Sequence, residues 1–297
     1  MHEYFAFGLC IESDIKLSKL LPNTYTQNID LKIRKDITAT YGIDKPNEER
    51  EFIKISNSEL WLSIQGVGYF LVRNGTEILY YPDSESNVDN LKIFLLGSCI
   101  GAALYQRRQF IIHGNAIEVD GKAVIFAGQS GIGKSTLAAI YHQNGFKVLT
   151  DDLALIRSDL HVIPSYPNIK LWEDSATNLS YDTSGLSRVR DNVNKYECPI
   201  SNNFRSSPAE LKAIFILGSH NEMNIISSPL SGIEKFIPLK NNTYRKNYLK
   251  AMNLNQHHMN MCTAIASNVP IIALTRPKAG FKLKELFEFS LNEIRQL

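Results

Sequence analysis

The chain contains the eight-residue sequence Gly128-Gln129-Ser130-Gly131-Ile132-Gly133-Lys134-Ser135. It matches the pattern G-x-x-x-x-G-K-[ST], in which glycines let the backbone curve until successive N–H groups point at an anion. The apolar run 122–127 before it predicts a buried strand, and the residues after it predict a helix that ends near Asn144-Gly145. A strand, a glycine-rich bend and a helix in this order predict a binding site for nucleotide phosphates.

Every position of this stretch, together with Thr136, is expected to take part in nucleotide binding. Lys134 can reach the β- and γ-phosphates, and the Ser135 hydroxyl can join the coordination shell of Mg²⁺. The alternative is a glycine-rich turn with an incidental lysine. Because glycine makes up only about 7% of residues in proteins, a chance match in a chain of this length is on the order of 1%.

Two adjacent acids, Asp151 and Asp152, follow the next apolar run, 147–149, seventeen residues after Lys134. α/β proteins place their functional side chains at strand ends of this kind. The Mg²⁺ that accompanies nucleotide phosphates requires carboxylate contact, direct or through water. The pair therefore predicts one carboxylate at a metal and one at an acceptor hydroxyl. The alternative is an ordinary turn, where Asp is common.

A histidine and a glycine, His113-Gly114, end an apolar strand that precedes the phosphate loop. The order of His113-Gly114, the loop 128–135 and Asp151-Asp152 resembles the catalytic domain of the HPr serine kinase/phosphorylase family. The residues from His113 to Ile156 carry this resemblance. It implies a P-loop-containing α/β fold of the phosphoenolpyruvate carboxykinase-like, HPr-kinase-like type, preceded by a small β-rich N-terminal domain.

The rest of the chain is similar to HPr-kinase-like proteins that include the kinases of lasso-peptide precursors. Looser patterns at 66–72, 94–98 and 167–172 carry this similarity. Thr136 stands where HPr kinases carry Glu, and their later Pro-Gly-Arg-Asn loop is not found. These two departures argue against HPr itself as the substrate and against the reverse phosphorolysis reaction, and they leave phosphorylation of a hydroxyl standing. The resemblance thus implies ATP-dependent phosphorylation of a serine in a peptide or protein, and its most specific form is a lasso-type precursor as the acceptor. A bifunctional HPr kinase/phosphorylase and a non-catalytic nucleotide-binding regulatory module remain alternatives.

The resemblance also implies roles for individual residues, with ATP and Mg²⁺ bound. Asp151 would be the general base toward the acceptor hydroxyl, and Asp152 would hold Mg²⁺ together with Ser135. His113 would lie near Asp151 and the γ-phosphate, and Lys134 would hold the nucleotide. Further cations are candidates for phosphate or substrate contact, because Arg suits bidentate contact with such groups: Arg188, Arg190, Lys195, Arg245 and Arg276.

The 297 residues are enough for two domains of ordinary size. We expect a β-rich N-terminal domain over 1–85, a connecting helix over 86–110 and an HPr-kinase-like domain over 111–297. In the first of these, the run from Tyr4 to Ile11 predicts one strand, 47–50 predicts a surface loop, and Asn74-Gly75 predicts a tight hairpin.

Composition restricts the remaining function classes. Hydrophobic residues make up 44% and charged residues 21%, which is typical of a soluble globular protein. The net charge of +2 gives no general attraction to nucleic acid or to an acidic membrane. The four cysteines are far apart, no signal peptide is recognised, and the apolar run 93–104 is too short to span a bilayer. We therefore expect a cytoplasmic protein whose partner is its peptide or protein substrate. Homo-oligomer formation remains open.

Overall fold

The computed structural model describes residues 1–25, 27–84, 86–190, 193–280 and 282–297. The chain forms two compact units. The first unit comprises Met1–Phe110 and Arg245–Met259, and the second comprises Ile111–Tyr244 and Asn260–Leu297. The predicted boundaries had assigned 245–259 to the kinase domain, whereas its contacts place it in the first unit.

Most of the elements up to residue 110 are short strands. The strands are β1 (His2–Ala6), β2 (Leu9–Ser13), β3 (Leu21–Pro22), β4 (Leu31–Lys35), β5 (Glu48–Arg50), β6 (Ile53–Ile55), β7 (Glu59–Ile64), β8 (Gly68–Arg73) and β9 (Glu77–Pro82). The helical elements are a 3₁₀ turn (Ile37–Thr40), α1 (Val88–Phe94), a π segment (Leu95–Cys99) and α2 (Ile100–Gln106).

Strands and helices mix in the remaining chain. The strands are β10 (Phe110–Val119), β11 (Lys122–Gly128), β12 (Val148–Thr150), β13 (Leu153–Ile156), β14 (His161–Ile163), β15 (Asn168–Trp172), β16 (Arg188–Arg190), β17 (Val193–Pro199), β18 (Ala209–His220), β19 (Ile226–Pro229) and β20 (Ile271–Pro277). The helices are α3 (Lys134–Gln143), α4 (Glu173–Asn178), α5 (Phe236–Asn241), α6 (Asn247–Ala251), α7 (Asn255–Asn268) and α8 (Leu283–Gln296), with 3₁₀ turns at Ser201–Asn203 and Gly232–Lys235.

The described strands of the first unit form one sheet in the order β3-β1-β2-β4-β9-β8-β7-β6-β5. The β8–β9 hairpin turns at Asn74 and Gly75, both with positive φ, as the sequence predicts. Gln106 accepts a hydrogen bond from the Gly75 N–H at 2.6 Å, so the end of α2 holds the hairpin in place.

Two predictions for this unit were wrong. The run from Tyr4 to Ile11 is two antiparallel strands, because Phe7 and Gly8 both adopt positive φ and reverse the chain. The segment predicted as a surface loop contains β5, which pairs with β6 at the edge of the sheet. Its charged sequence, Glu48-Glu49-Arg50, suits an edge strand, where side chains remain in water.

Helical backbone runs without a gap from Val88 to Gln106, and its middle part, Leu95–Cys99, is the π segment. By length and composition it could cross a membrane, which the shorter run considered in the sequence had not indicated. However, 61% of its apolar window is buried inside the protein, and the core helix of a globular unit meets the same criterion. The buried side chains Leu91, Leu95 and Ile100 fit a core helix.

The second unit is built on a mixed sheet in which β11 pairs antiparallel with β10 and parallel with β18. β20 continues the sheet in parallel beside β18, and β19 adds an antiparallel edge. A separate sheet has the order β15-β17-β16. Helices α3 and α8 pack together, with Tyr141 of α3 in edge contact with Phe287 of α8 at 4.7 Å between ring centroids. The core therefore fixes both the strand before the phosphate loop and the helix after it.

The approach of β10 to β11 depends on the absence of a side chain at Gly114. A Cβ there would lie 2.6 Å from the carbonyl oxygen of Phe126, closer than atoms can pack. We expect Gly114→Ala to lower the free energy of unfolding by about 3 kcal/mol, because β10 must move away from its neighbour. Urea denaturation measures this change.

The matched control is Gly121→Ala, where a Cβ would meet no atom within 4 Å but φ is +82°. It should lose only about 1 kcal/mol, from backbone strain. Equal losses in the two variants would show that close packing at Gly114 is not the cause.

Candidate active site

The glycine-rich loop 128–135, predicted to bind phosphate and called the phosphate loop, runs from the end of β11 into α3, so the predicted order of strand, loop and helix is confirmed. Gly128, Gly131 and Gly133 have φ of +152°, +82° and +109°, which side chains disfavour. A Cβ at Gly128 would lie 2.8 Å from the Leu217 carbonyl oxygen, whereas at Gly131 and Gly133 it would meet no atom within 4 Å. Backbone conformation alone thus favours glycine at the last two positions, and the space beside them is open.

Lys134 begins α3 and is 8% exposed. Its Nζ donates hydrogen bonds to the carbonyl oxygens of Gly128 at 2.8 Å and Gln129 at 3.0 Å. Asn115 donates a hydrogen bond to the Lys134 carbonyl, which ties the start of the helix to β10. Burial lowers the pKa of Lys134, although the carboxylates of Asp152 and Asp151 oppose that shift. The ammonium group therefore lies along the inside of the loop.

Asp151 follows β12 and turns inward, so that it is only 6% exposed. One carboxylate oxygen accepts a hydrogen bond from the Ser135 hydroxyl at 2.9 Å. The other accepts the backbone N–H of Lys170 at 2.9 Å. Burial raises the pKa of Asp151, and the charge of Asp152 raises it further. Asp151 is thus hydrogen-bonded directly to Ser135, the last residue of the glycine-rich loop.

Asp152 adopts φ +77°, which directs its side chain differently from that of Asp151. Its carboxylate accepts a hydrogen bond from Lys170 Nζ at 2.6 Å and borders an open cavity. Burial raises the pKa of Asp152, but the ammonium groups of Lys170 and Lys195 outweigh burial and leave the pKa below its ordinary value. Asp152 is therefore a carboxylate at neutral pH, and it borders the cavity.

His113 lies in β10 with Nδ1 3.2 Å from the carbonyl oxygen of Asp152. Because that oxygen can only accept, the contact assigns the proton to Nδ1. Burial lowers the pKa of His113, and the nearby Lys134 lowers it further, so the ring is neutral at pH 7. The neutral ring borders the same cavity and positions the backbone at Asp152.

The cavity has a volume of about 540 Å³. One wall is the phosphate loop, with Ser130, Gly131 and Thr136. A second part of the wall comes from β15, α4 and β17, and it includes Lys170, Trp172, Glu173, Asn194 and Lys195. Thr136 donates to Ser175 of α4 at 3.0 Å, which links the two walls. The cavity is large enough for a small ligand.

The structure separates the five candidate cations. Lys195 lines the cavity with Nζ 5.9 Å from the Trp172 ring centroid, and Arg276 lies beside the loop with Nη2 3.4 Å from the Ile132 carbonyl oxygen. Arg188 lies over the ring of Tyr196. Arg245 belongs to the first unit and lies over the ring of Tyr248. The side chain of Arg190 is outside the described part of the chain.

Lys170 and Trp172 were not predicted as site residues. They alternate along β15 on the face that borders the cavity. In the sequence, the stretch 167–172 carries only a similarity to HPr-kinase-like proteins. A lysine and an exposed tryptophan two residues apart on a short strand are a weak signal, because the same pattern is common on solvated sheet faces.

Comparison with protein-family models and with curated proteins finds no match for this chain. Among solved structures, the chain is similar to the HPr(Ser) kinase/phosphatase from Coxiella burnetii at 12% sequence identity. The similarity covers 63% of this chain and 94% of that chain, with a TM-score of 0.33.

The contact between Ser135 and Asp151 generates a prediction about magnesium. We expect Asp151→Asn and Ser135→Ala to weaken the binding of a fluorescent ATP analogue in Mg²⁺ by roughly 10- to 100-fold, the usual effect of disturbing a metal's ligands and their supports. Binding in EDTA should be unchanged. Fluorescence titration under both conditions measures the difference, and Ser135→Thr, which keeps the hydroxyl, should bind as the parent does.

Proposed function

We propose that the second unit binds ATP with Mg²⁺ and transfers the γ-phosphoryl group to a serine hydroxyl of a peptide or protein. The narrowest form of the proposal is a ribosomally made lasso-type precursor peptide as the acceptor. The observation that carries it is the pair of adjacent carboxylates, one bonded to Ser135 of the phosphate loop and the other facing the cavity. A protein that only binds a nucleotide has no need of the second carboxylate.

The residues present fit Mg²⁺. Ser135 and Asp151 supply a hydroxyl and a carboxylate at 2.9 Å from each other, and hard oxygen donors are what Mg²⁺ prefers. When bound, the ion would neutralise charge on the β- and γ-phosphates. In this assignment Asp151, rather than Asp152, holds the metal, directly or through water. The family resemblance implied the reverse, with Asp151 as the base and Asp152 at the metal. The hydrogen bond between Ser135 and Asp151 favours Asp151 at the metal.

Asp152 then acts on the acceptor. The bond between the γ-phosphorus and the bridging oxygen of ADP breaks, the serine oxygen bonds to that phosphorus, and the serine proton passes to the Asp152 carboxylate. The transition state of phosphoryl transfer is loose, so the acceptor oxygen loses its proton late and a weak base is sufficient. The lowered pKa of Asp152 is therefore compatible with the role, because orientation of the hydroxyl contributes more than basicity.

Lys134 and the loop N–H groups act on the transferred group. The ammonium group lies against the loop carbonyls of Gly128 and Gln129, from which it can turn to the β- and γ-phosphate oxygens. Positive charge fixed in place before the reaction stabilises the charge that develops on those oxygens. The site therefore combines a phosphate cradle, a metal position and a carboxylate toward the acceptor.

The serine acceptor and the lasso-type precursor are supported by the sequence patterns at 66–72, 94–98 and 167–172. A carrier of the HPr type and a regulatory role without transfer are outcomes that the following experiment separates from this proposal.

The purified chain is incubated with [γ-³²P]ATP, Mg²⁺ and serine-containing peptides, with lasso-type precursors and an HPr-like carrier among the acceptors. We expect label on the serine of a precursor peptide. Lys134→Ala should abolish both transfer and nucleotide binding, whereas Asp152→Asn should keep nucleotide binding and lose about 10²- to 10⁴-fold in kcat.

The matched control is Asp159→Asn, which removes an exposed carboxylate of the same unit that pairs with Arg157. It should transfer at the parent rate. Tight ATP binding with no transfer to any acceptor would support the regulatory module instead. Transfer to the HPr-like carrier alone would support the bifunctional alternative, and an unchanged rate in Asp152→Asn would overturn the assignment of the base.

A further inference from the structure

One residue that the sequence did not single out contacts both carboxylates of the site. Lys170 donates its backbone N–H to Asp151 at 2.9 Å and its side-chain ammonium to Asp152 at 2.6 Å. The Lys170 side chain is 17% exposed and that of Asp152 is 20% exposed, so the ion pair is largely removed from water. Lys170 therefore holds the carboxylates of both Asp151 and Asp152 at hydrogen-bond distance from β15.

The neighbouring sheet fixes Lys170 in this position. In the β15–β17 ladder, Lys170 is opposite Glu197, and Asn168 on the same face donates a hydrogen bond to the Glu197 carboxylate. Asn168 and Glu197 are both buried, at 4% and 5% exposure. The backbone N–H of Lys170 points away from this ladder and donates to Asp151. The register of β15 with β17 therefore determines which N–H is available to the Asp151 carboxylate.

The ion pair between Lys170 and Asp152 also reduces the repulsion between the two carboxylates of the site. Asp151 is buried and Asp152 is half-buried, so the two adjacent carboxylates repel each other, and a cation in hydrogen-bond contact offsets that repulsion. The Lys134 ammonium bonds to loop carbonyls, and the Lys195 ammonium lies over the Trp172 ring. The ammonium of Lys170 is in direct contact with Asp152, and that of Lys195 acts on it from a distance.

We propose that Lys170 is a positioning residue for phosphoryl transfer, which holds Asp152 toward the acceptor hydroxyl while its backbone holds Asp151 toward the metal position. This proposal rests on the proposed kinase function and adds a residue to it. Lys170 acts through the two carboxylates and takes no proton itself. Its removal should therefore affect the rate of transfer far more than the binding of ATP.

The test measures steady-state transfer from [γ-³²P]ATP to the acceptor peptide in Lys170→Met and Lys170→Arg. Methionine has similar length without charge, and we expect it to lower kcat about 10²-fold, the cost of misplacing a reacting group by about 1 Å. The KM for ATP should change less than threefold. Arginine keeps the cation and should recover at least tenfold of the lost kcat.

Loss of Lys170 leaves a buried carboxylate without its partner, which can prevent folding. The double variant Asp152→Asn, Lys170→Met removes both charges and keeps the experiment decisive. If Lys170 acts through Asp152, adding Lys170→Met to Asp152→Asn should lower kcat less than twofold further, since the two effects are not additive. Multiplication of the two separate losses would overturn the proposal.

The matched control is Lys122→Met, which removes an exposed lysine of the same unit whose Nζ lies 2.9 Å from Glu210. It should keep the parent kcat. A parent-like kcat in Lys170→Met, with active wild-type protein, would overturn the role of Lys170 alone. Absence of transfer by the wild-type protein would overturn the proposed function and this proposal together, so the two failures are distinguishable.

Discussion

The hydrogen bond between Ser135 and Asp151 is the contact on which the site depends. It joins the start of α3 to the end of β12, and it places a buried carboxylate beside the Ser135 hydroxyl, directly after Lys134. A carboxylate so buried is costly unless its oxygens are bonded. Both oxygens of Asp151 accept hydrogen bonds, one from the Ser135 hydroxyl and the other from the Lys170 N–H. The Asp151 carboxylate therefore connects the turn after β12 to α3 and β15.

This arrangement gives the two aspartates different environments although they are adjacent. Asp151 is enclosed and its pKa is raised, whereas Asp152 faces the cavity with a lysine and its pKa is lowered. Asp152 adopts φ +77° in the turn after β12, and its carboxylate accepts a hydrogen bond from Lys170 Nζ, whereas that of Asp151 accepts from Ser135. The proposed division of roles between a metal position and an acceptor position depends on this difference.

The sequence predicted the parts of the site whose chemistry is local. The loop 128–135, its strand, its helix over Lys134–Gln143 and the acids after β12 all follow from residue type and spacing. Lys170 could not be predicted in this way, because its contacts depend on the register of β15 with β17, nearly thirty residues away. Residues 245–259 likewise belong to the first unit through contacts with segments distant in sequence. A local sequence pattern does not predict such contacts.

The most direct test of the central claim is a crystal structure of the chain with a non-hydrolysable ATP analogue and Mg²⁺. We expect the triphosphate inside the loop 128–135, the ion in contact with Ser135 and, directly or through water, with Asp151. The Asp152 carboxylate should face the terminal phosphate and stay paired with Lys170. A loop without nucleotide, or a terminal phosphate directed away from Asp152, would contradict the account.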